Sequence, residues 1–84
     1  MKITAIKIRK VEDAGKMKAI ASIIIDECFA IHGIRIIEGD NGLFTAMPSR
    51  KTNDGKYHDI AHPVTQECRS MIEEAIIKAY NEAE

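Results

Sequence analysis

Gly39-Asp40-Asn41-Gly42 is the strongest turn signal in the chain, two glycines bracketing two residues that favour tight turns. On its N-terminal side, Cys28 to Glu38 reads as a strand, and Gly33 within it marks a bulge or bend. On its C-terminal side, Leu43 to Lys51 reads as extended chain. Pro48 interrupts that stretch and suits an edge or bulge better than a central strand. Extended segments about a tight turn make antiparallel pairing the starting point for the fold.

Toward the N-terminus, Lys2 to Val11 alternates: Ile6 and Ile8 fall on one face, Lys7 and Arg9 on the other. That is the pattern of a half-buried strand with a basic outer face. Met17 to Asp26 is a second strand, and the short loop Glu12-Asp13-Ala14-Gly15-Lys16 joins the two as a hairpin. Asp26-Glu27 makes the next turn. Toward the C-terminus, Asn53-Asp54-Gly55 holds an Asp-Gly step between Arg50-Lys51-Thr52 and Lys56-Tyr57-His58, a strong hairpin marker. Ile60 closes the last short strand. His62-Pro63 breaks the pattern, and Thr65 is placed to cap a helix that carries Glu67 in its first turn. Cys68, Met71, Ile72, Ala75, Ile76, Ala79 and Tyr80 then form an apolar stripe at helical spacing, with the glutamates opposite. The expected fold class is α+β: an antiparallel β-sheet of hairpins, about five strands, packed by one C-terminal amphipathic helix. No repeat or linker divides residues 1–84, so one domain is expected.

Composition narrows the function classes. A hydrophobic content of 45% supports a folded globule. A chain this short hides only about 60% of its unfolded surface, which favours pairing with a second copy. The net charge is −1, so no global basic signal points to a polyanion. The charges are uneven, however. Residues 1–64 hold ten Lys/Arg against eight Asp/Glu, whereas residues 65–84 hold two against five. A mildly basic body with an acidic helix is compatible with local polyanion binding. Cys28 and Cys68 are lone thiols, which suit a reducing cytoplasm. The alternating N-terminus is unlike a signal peptide, and Ile23-Ile24-Ile25 is far too short to cross a membrane.

Two basic constellations stand out. Arg50 and Lys51 follow Pro48-Ser49, and share one surface only at a bulge or in a loop. There they would suit phosphate oxygens or a guanine edge, and the plain alternative is a solvated loop with ordinary cations. Lys7, Arg9 and Lys10, with Lys16 and Lys18 across the turn, make a second surface for a nucleic-acid backbone, or else a solvating strand face. No aromatic pattern for base stacking sits on that first hairpin. His58, Asp59 and His62 look like metal ligands only until Pro63 spoils the helical spacing, and turn or capping roles are the simpler reading. Nothing in the chain proposes a reaction, a cofactor, a metal or a small-molecule substrate.

Ile34-Arg35-Ile36-Ile37-Glu38-Gly39, Gly42-Leu43-Phe44, Ala46-Met47-Pro48-Ser49-Arg50-Lys51, Asp54-Gly55 and Asp59-Ile60-Ala61-His62-Pro63 together resemble the signature of the stage V sporulation protein G (septation protein) family. The earlier run Met17-Lys18-Ala19-Ile20-Ala21-Ser22 resembles it as well. The resemblance implies a small cytoplasmic bacterial protein, an antiparallel sheet with a C-terminal helix, and a homodimer. It also implies site-specific DNA binding, RNA as a further ligand, and a role in sporulation, septation and gene regulation, with no enzymatic activity. On that resemblance Arg50 and Lys51 carry the nucleic-acid contact, and Gln66 and Arg69 at the helix start are the next candidates, as readers of sequence. The competing expectation is a protein-interaction adaptor of the division and sporulation machinery, using the acidic helix or a sheet edge.

Overall fold

A computed structural model describes residues 2–11 and 15–83. It contains six strands and one helix: β1 (Ile3–Lys10), β2 (Met17–Ile25), β3 (Phe29–Gly39), β4 (Gly42–Ala46), β5 (Ser49–Lys51), β6 (Tyr57–Asp59) and α1 (Gln66–Glu82). The first four form an antiparallel meander in the order β1-β2-β3-β4, and β5 and β6 form a separate two-stranded sheet. The expected α+β architecture is thus the observed one. The single stretch expected over residues 43–51 is two strands, because Met47-Pro48 leaves the ladder and β5 starts a second sheet. Of the first expected turn, Glu12-Asp13-Ala14 lies outside the described residues.

The register explains which side chains are buried. Directly paired residues share a face, and Ile6, Ile8 and Lys10 pair with Ile23, Ala21 and Ala19. Ala21 and Ala19 pair in turn with Ile34 and Ile36, and Ile36 with Thr45. This face meets α1. Ala19, Ala21, Ile23, Ile34 and Ile36 of the sheet, Met47 beyond β4, and Ile72 and Ile76 of the helix form the buried core. Alanines on β2 leave room for the helix, and isoleucines on β3 fill the space beside it. Each fully buried isoleucine contributes about 1.5–3 kcal/mol relative to an exposed one.

The two main-sheet turns solve different problems. Gly39 and Gly42 close the β3–β4 pair, and the left-handed φ of +119° at Gly42 is one that side chains resist. Between β2 and β3, Asp26 and Glu27 both take positive φ, 51° and 58°. This turn is tied to β1: the Asp26 carboxylate accepts the Lys2 amide at 2.9 Å, and the Thr4 hydroxyl accepts the Glu27 amide at 3.0 Å. The expected bulge in β3 is present at Gly33 (φ +81°), where Ser22 faces both His32 and Gly33.

The helix begins as its sequence dictates, with the Thr65 hydroxyl accepting the Cys68 amide at 3.1 Å. Two polar contacts dock it. Glu73 accepts both the backbone amide and the hydroxyl of Thr45, each at 3.0 Å, so one carboxylate serves an outer-strand N–H of the sheet. The expectation that all helix glutamates face away from the sheet is corrected here. At the other end, Lys10 Nζ donates to the Ala83 carbonyl at 2.9 Å and lies 5.1 Å from the centre of the Tyr80 ring. A cation at a helix C-terminus is favoured by the helix dipole.

Candidate nucleic-acid interface

The β5–β6 hairpin owes its shape to its loop. Thr52 and Lys56 close the pair through the Thr52 amide and Lys56 carbonyl at 2.8 Å, and Gly55 takes φ +83°. Asp54 accepts the Lys56 amide at 3.0 Å and also the Thr52 hydroxyl. The Thr52 hydroxyl bond, followed by the Lys56 amide, holds the Asp54 carboxyl below its ordinary value of 3.8. The root is fixed too. The Ile60 amide donates to the Pro48 carbonyl at 2.7 Å, and Arg35 Nη2 reaches the Met47 carbonyl at 3.4 Å and the Ser49 hydroxyl at 3.5 Å. The principal contacts of β5 and β6 are otherwise with each other, so the hairpin stands as an arm beside the main sheet.

Arg50 and Lys51 are both exposed on this arm, but they do not share a surface. The pairing is regular: Arg50 with His58, Lys51 with Tyr57. Consecutive strand residues point to opposite faces, so Arg50 sits beside His58 on one face and Lys51 beside Tyr57 on the other. Arg50 has a histidine and Lys51 a tyrosine across the ladder, and Asp59, paired with Ser49, shares the face of Lys51.

Lys7 and Arg9 lie together on the sheet face opposite α1. They border a concavity of about 560 Å³ that is also lined by Ala5, Ile20, Ser22, Ile24, His32 and Gly33. His32 Nδ1 and Ser22 Oγ are 3.0 Å apart across the bulge. Lys10 is on the other face, committed to the helix end, so the first hairpin's cations divide. The groove adjoins the arm: a Cβ placed on Gly33 would meet Pro48 Cβ at 3.7 Å. The bulge therefore places the Lys7/Arg9 groove next to the root of the arm that bears Arg50 and Lys51. Gln66 and Arg69 are exposed in the first turn of α1, three residues apart on neighbouring positions of the helix surface. The Gln66 side chain donates to Ser70 at 3.2 Å.

The SpoVG family profile matches residues 1–82. The chain belongs to the SpoVG family. Among curated relatives, a protein of Caldicellulosiruptor saccharolyticus named "Putative septation protein SpoVG" is 55% identical over 80 residues, 95% of this chain and 91% of that one. Proteins of the same name from Clostridioides difficile and Staphylococcus aureus are 53% and 49% identical, over 99% and 100% of this chain and 90% and 84% of theirs.

In this SpoVG-family chain, two elements of the surface escaped the sequence reading. Tyr57 is one: it is 69% exposed and stands across from Lys51, a pairing already implied by the register about Asp54-Gly55. The other is Arg35, a strand residue on the face opposite α1 that reaches across to the arm root. The alternation of β3 about a bulge hid it. The remaining polar candidates take ordinary places. His62 Nδ1 lies 3.2 Å from the Pro63 carbonyl, Cys28 is exposed and Cys68 half-buried. Among the described residues no three His, Cys, Asp or Glu side chains gather as metal ligands, and no helix is long and apolar enough to cross a membrane.

Proposed function

We propose that this chain is a nucleic-acid-binding regulator that acts in septation and sporulation, binding DNA and RNA rather than catalysing a reaction. The observation that carries the reading is the arm: a hairpin held by its own loop that presents Arg50 and Lys51 to solvent on its two faces. Such cations position a polyanion through its phosphates. Lys7 and Arg9, on the groove beside the arm root, extend the same surface, and Gln66 and Arg69 are the candidates for base contacts. Few phosphates are met by one copy, so affinity is modest and falls steeply with salt. Self-pairing raises it by effective concentration. Support for pairing comes from Phe29, Ile60 and Val64, which are 60, 65 and 85% exposed in the single chain.

The test is fluorescence anisotropy of labelled duplex DNA and single-stranded RNA across a salt series. It compares the wild type with the Arg50→Ala/Lys51→Ala variant. Salt-sensitive binding that the variant loses is the expected result. Binding that survives moves the site to the Lys7/Arg9 groove or the helix start. Absence of binding at low salt overturns the reading and leaves the adaptor in front. That second reading rests on a shallow acidic surface of α1 formed by Glu73, Glu74, Ile77, Lys78, Asn81 and Glu82.

A further inference from the structure

The two faces of the arm are not equivalent. One carries Arg50 with His58, a purely polar pair. The other carries Lys51 with Tyr57, a mobile ammonium beside an exposed aromatic residue, with Asp59 further toward the root. Tyr57 is 69% exposed, well beyond the other tyrosine, Tyr80, which is half-buried on α1 against Lys10. An exposed tyrosine on a short strand gains nothing from the core. Its position matters because directly opposite residues on an antiparallel ladder have Cβ atoms about 4.5–5.5 Å apart. A lysine rooted beside an aromatic residue in this way can meet a phosphate with its ammonium while the ring meets the adjoining base.

The arm is also preorganised for such a contact. Its tip is fixed by Asp54 and Thr52, its root by the Ile60–Pro48 bond and by Arg35, and Tyr57 has few rotatable bonds to immobilise. We infer that Tyr57 is a base-stacking residue and that the arm takes single-stranded nucleic acid in preference to duplex. This inference rests on the nucleic-acid reading above and adds to it a residue and a ligand class. In a duplex the bases are stacked on one another and closed to a ring approaching from outside. In a single strand they splay, and every base offers a π-face to an aromatic side chain. Lys51 supplies the backbone contact on the same face, and Arg50 and His58 stay on the opposite side.

The experiment measures binding of labelled oligo(dT) and of a duplex of equal length, for the wild type, Tyr57→Phe, Tyr57→Leu and Arg50→Ala/Lys51→Ala. A base stacked on a protein aromatic contributes about 1–3 kcal/mol, so Tyr57→Leu is expected to weaken oligo(dT) binding roughly 5- to 150-fold. Tyr57→Phe keeps the ring and stays within about twofold of the wild type. The dependence of log K on log salt is unchanged in Tyr57→Leu, because no charge is removed, and becomes shallower in the double cation variant. The chain has no tryptophan, so a Tyr57→Trp variant supplies a unique emission signal. That signal is quenched by oligo(dT) and much less by the duplex.

Equal binding of single strand and duplex, or full oligo(dT) affinity in Tyr57→Leu, overturns this inference alone and leaves the cation reading standing. Emission of Tyr57→Trp that shifts with protein concentration and ignores oligo(dT) also overturns it, since a second copy then covers the residue. No binding of either ligand by the wild type at low salt removes both readings together.

Discussion

The meander β1–β4 and the arm β5–β6 are built from the same unit, the antiparallel hairpin, yet they are held by different forces. The meander buries one face against α1, and Ile23, Ile34, Ile36 and Ile76 are fully enclosed. The arm encloses nothing: five of its six strand residues are exposed and Ser49 is half-buried. An isolated two-stranded hairpin is marginal in water, so the arm depends on its loop hydrogen bonds and on Arg35 and Pro48 at its root. Stability therefore resides in the meander and helix, and side chains on the arm are free to serve a ligand. Substitutions should separate into two classes, those that unfold the chain and those that change only what it binds.

The largest effect expected from this division is Ile76→Ala. Ile76 is fully buried at the helix–sheet contact, and truncating such a residue costs about 2–5 kcal/mol through lost transfer energy and the cavity left behind. A domain of this size has roughly 4–13 kcal/mol in total at about 0.05–0.15 kcal/mol per residue. The variant should thus lose a large share of its stability in urea denaturation. By contrast Tyr57→Leu should stay within about 0.5 kcal/mol of the wild type. Comparable losses from both would mean that the arm is part of the core.

A smaller effect tests the polar seam. Thr45 is 6% exposed on β4, the outer strand of the meander, and its amide and hydroxyl both donate to Glu73. Glu73→Ala strands a buried donor and should cost about 1–3 kcal/mol. Glu73→Gln keeps an acceptor and should cost less. Pairing each with Thr45→Val in a double-mutant cycle isolates the hydroxyl half of the contact, and a coupling energy near zero would leave the Thr45 backbone amide as the group through which Glu73 docks α1.

Much of the fold was legible because it is written in local chemistry. The alternation of β1, the Gly39–Gly42 turn, the Asp54-Gly55 hairpin, the Thr65 cap and the stripe about Ile72 and Ile76 each reflect a conformational preference of the residues themselves. What sequence left out depends on register. Arg50 and Lys51 read as one basic pair because they are adjacent, but regular pairing on β5 sends them to opposite faces. Lys10 reads with Lys7 and Arg9, yet the period of the strand turns it toward the helix. Glu73 reads as solvent-facing because it falls outside the apolar stripe, and only the position of β4 gives it a partner. Of the candidate site, Lys7, Arg9, Arg50, Lys51, Gln66 and Arg69 were visible one by one and their grouping was not. Tyr57 was overlooked because its partner is six positions away in sequence and reached through the loop.

The smallest effect concerns the loop that holds the arm. Asp54 has its carboxyl held below 3.8 by the Thr52 hydroxyl and the Lys56 amide. A carboxyl so depressed adds stability above its unfolded value and loses it as the pH falls through its folded value. The arm should therefore be intact at neutral pH and loosen only below about 3.8, after an ordinary aspartate would have begun to protonate. Asp54 is fully exposed, so water screens the contribution and the global melting temperature should barely register it. The readout is local: the amide NMR shifts of Gly55 and Lys56 followed through acid titration, with Asp54→Asn as the control. The asparagine variant keeps an acceptor oxygen but has no proton to gain, so its shifts should stay flat where those of the wild type move. A wild-type midpoint at or above 3.8 would mean that the loop bonds are too weak to bias the carboxylate. The arm would then need its ligand, rather than its own loop, to hold Arg50, Lys51 and Tyr57 in place.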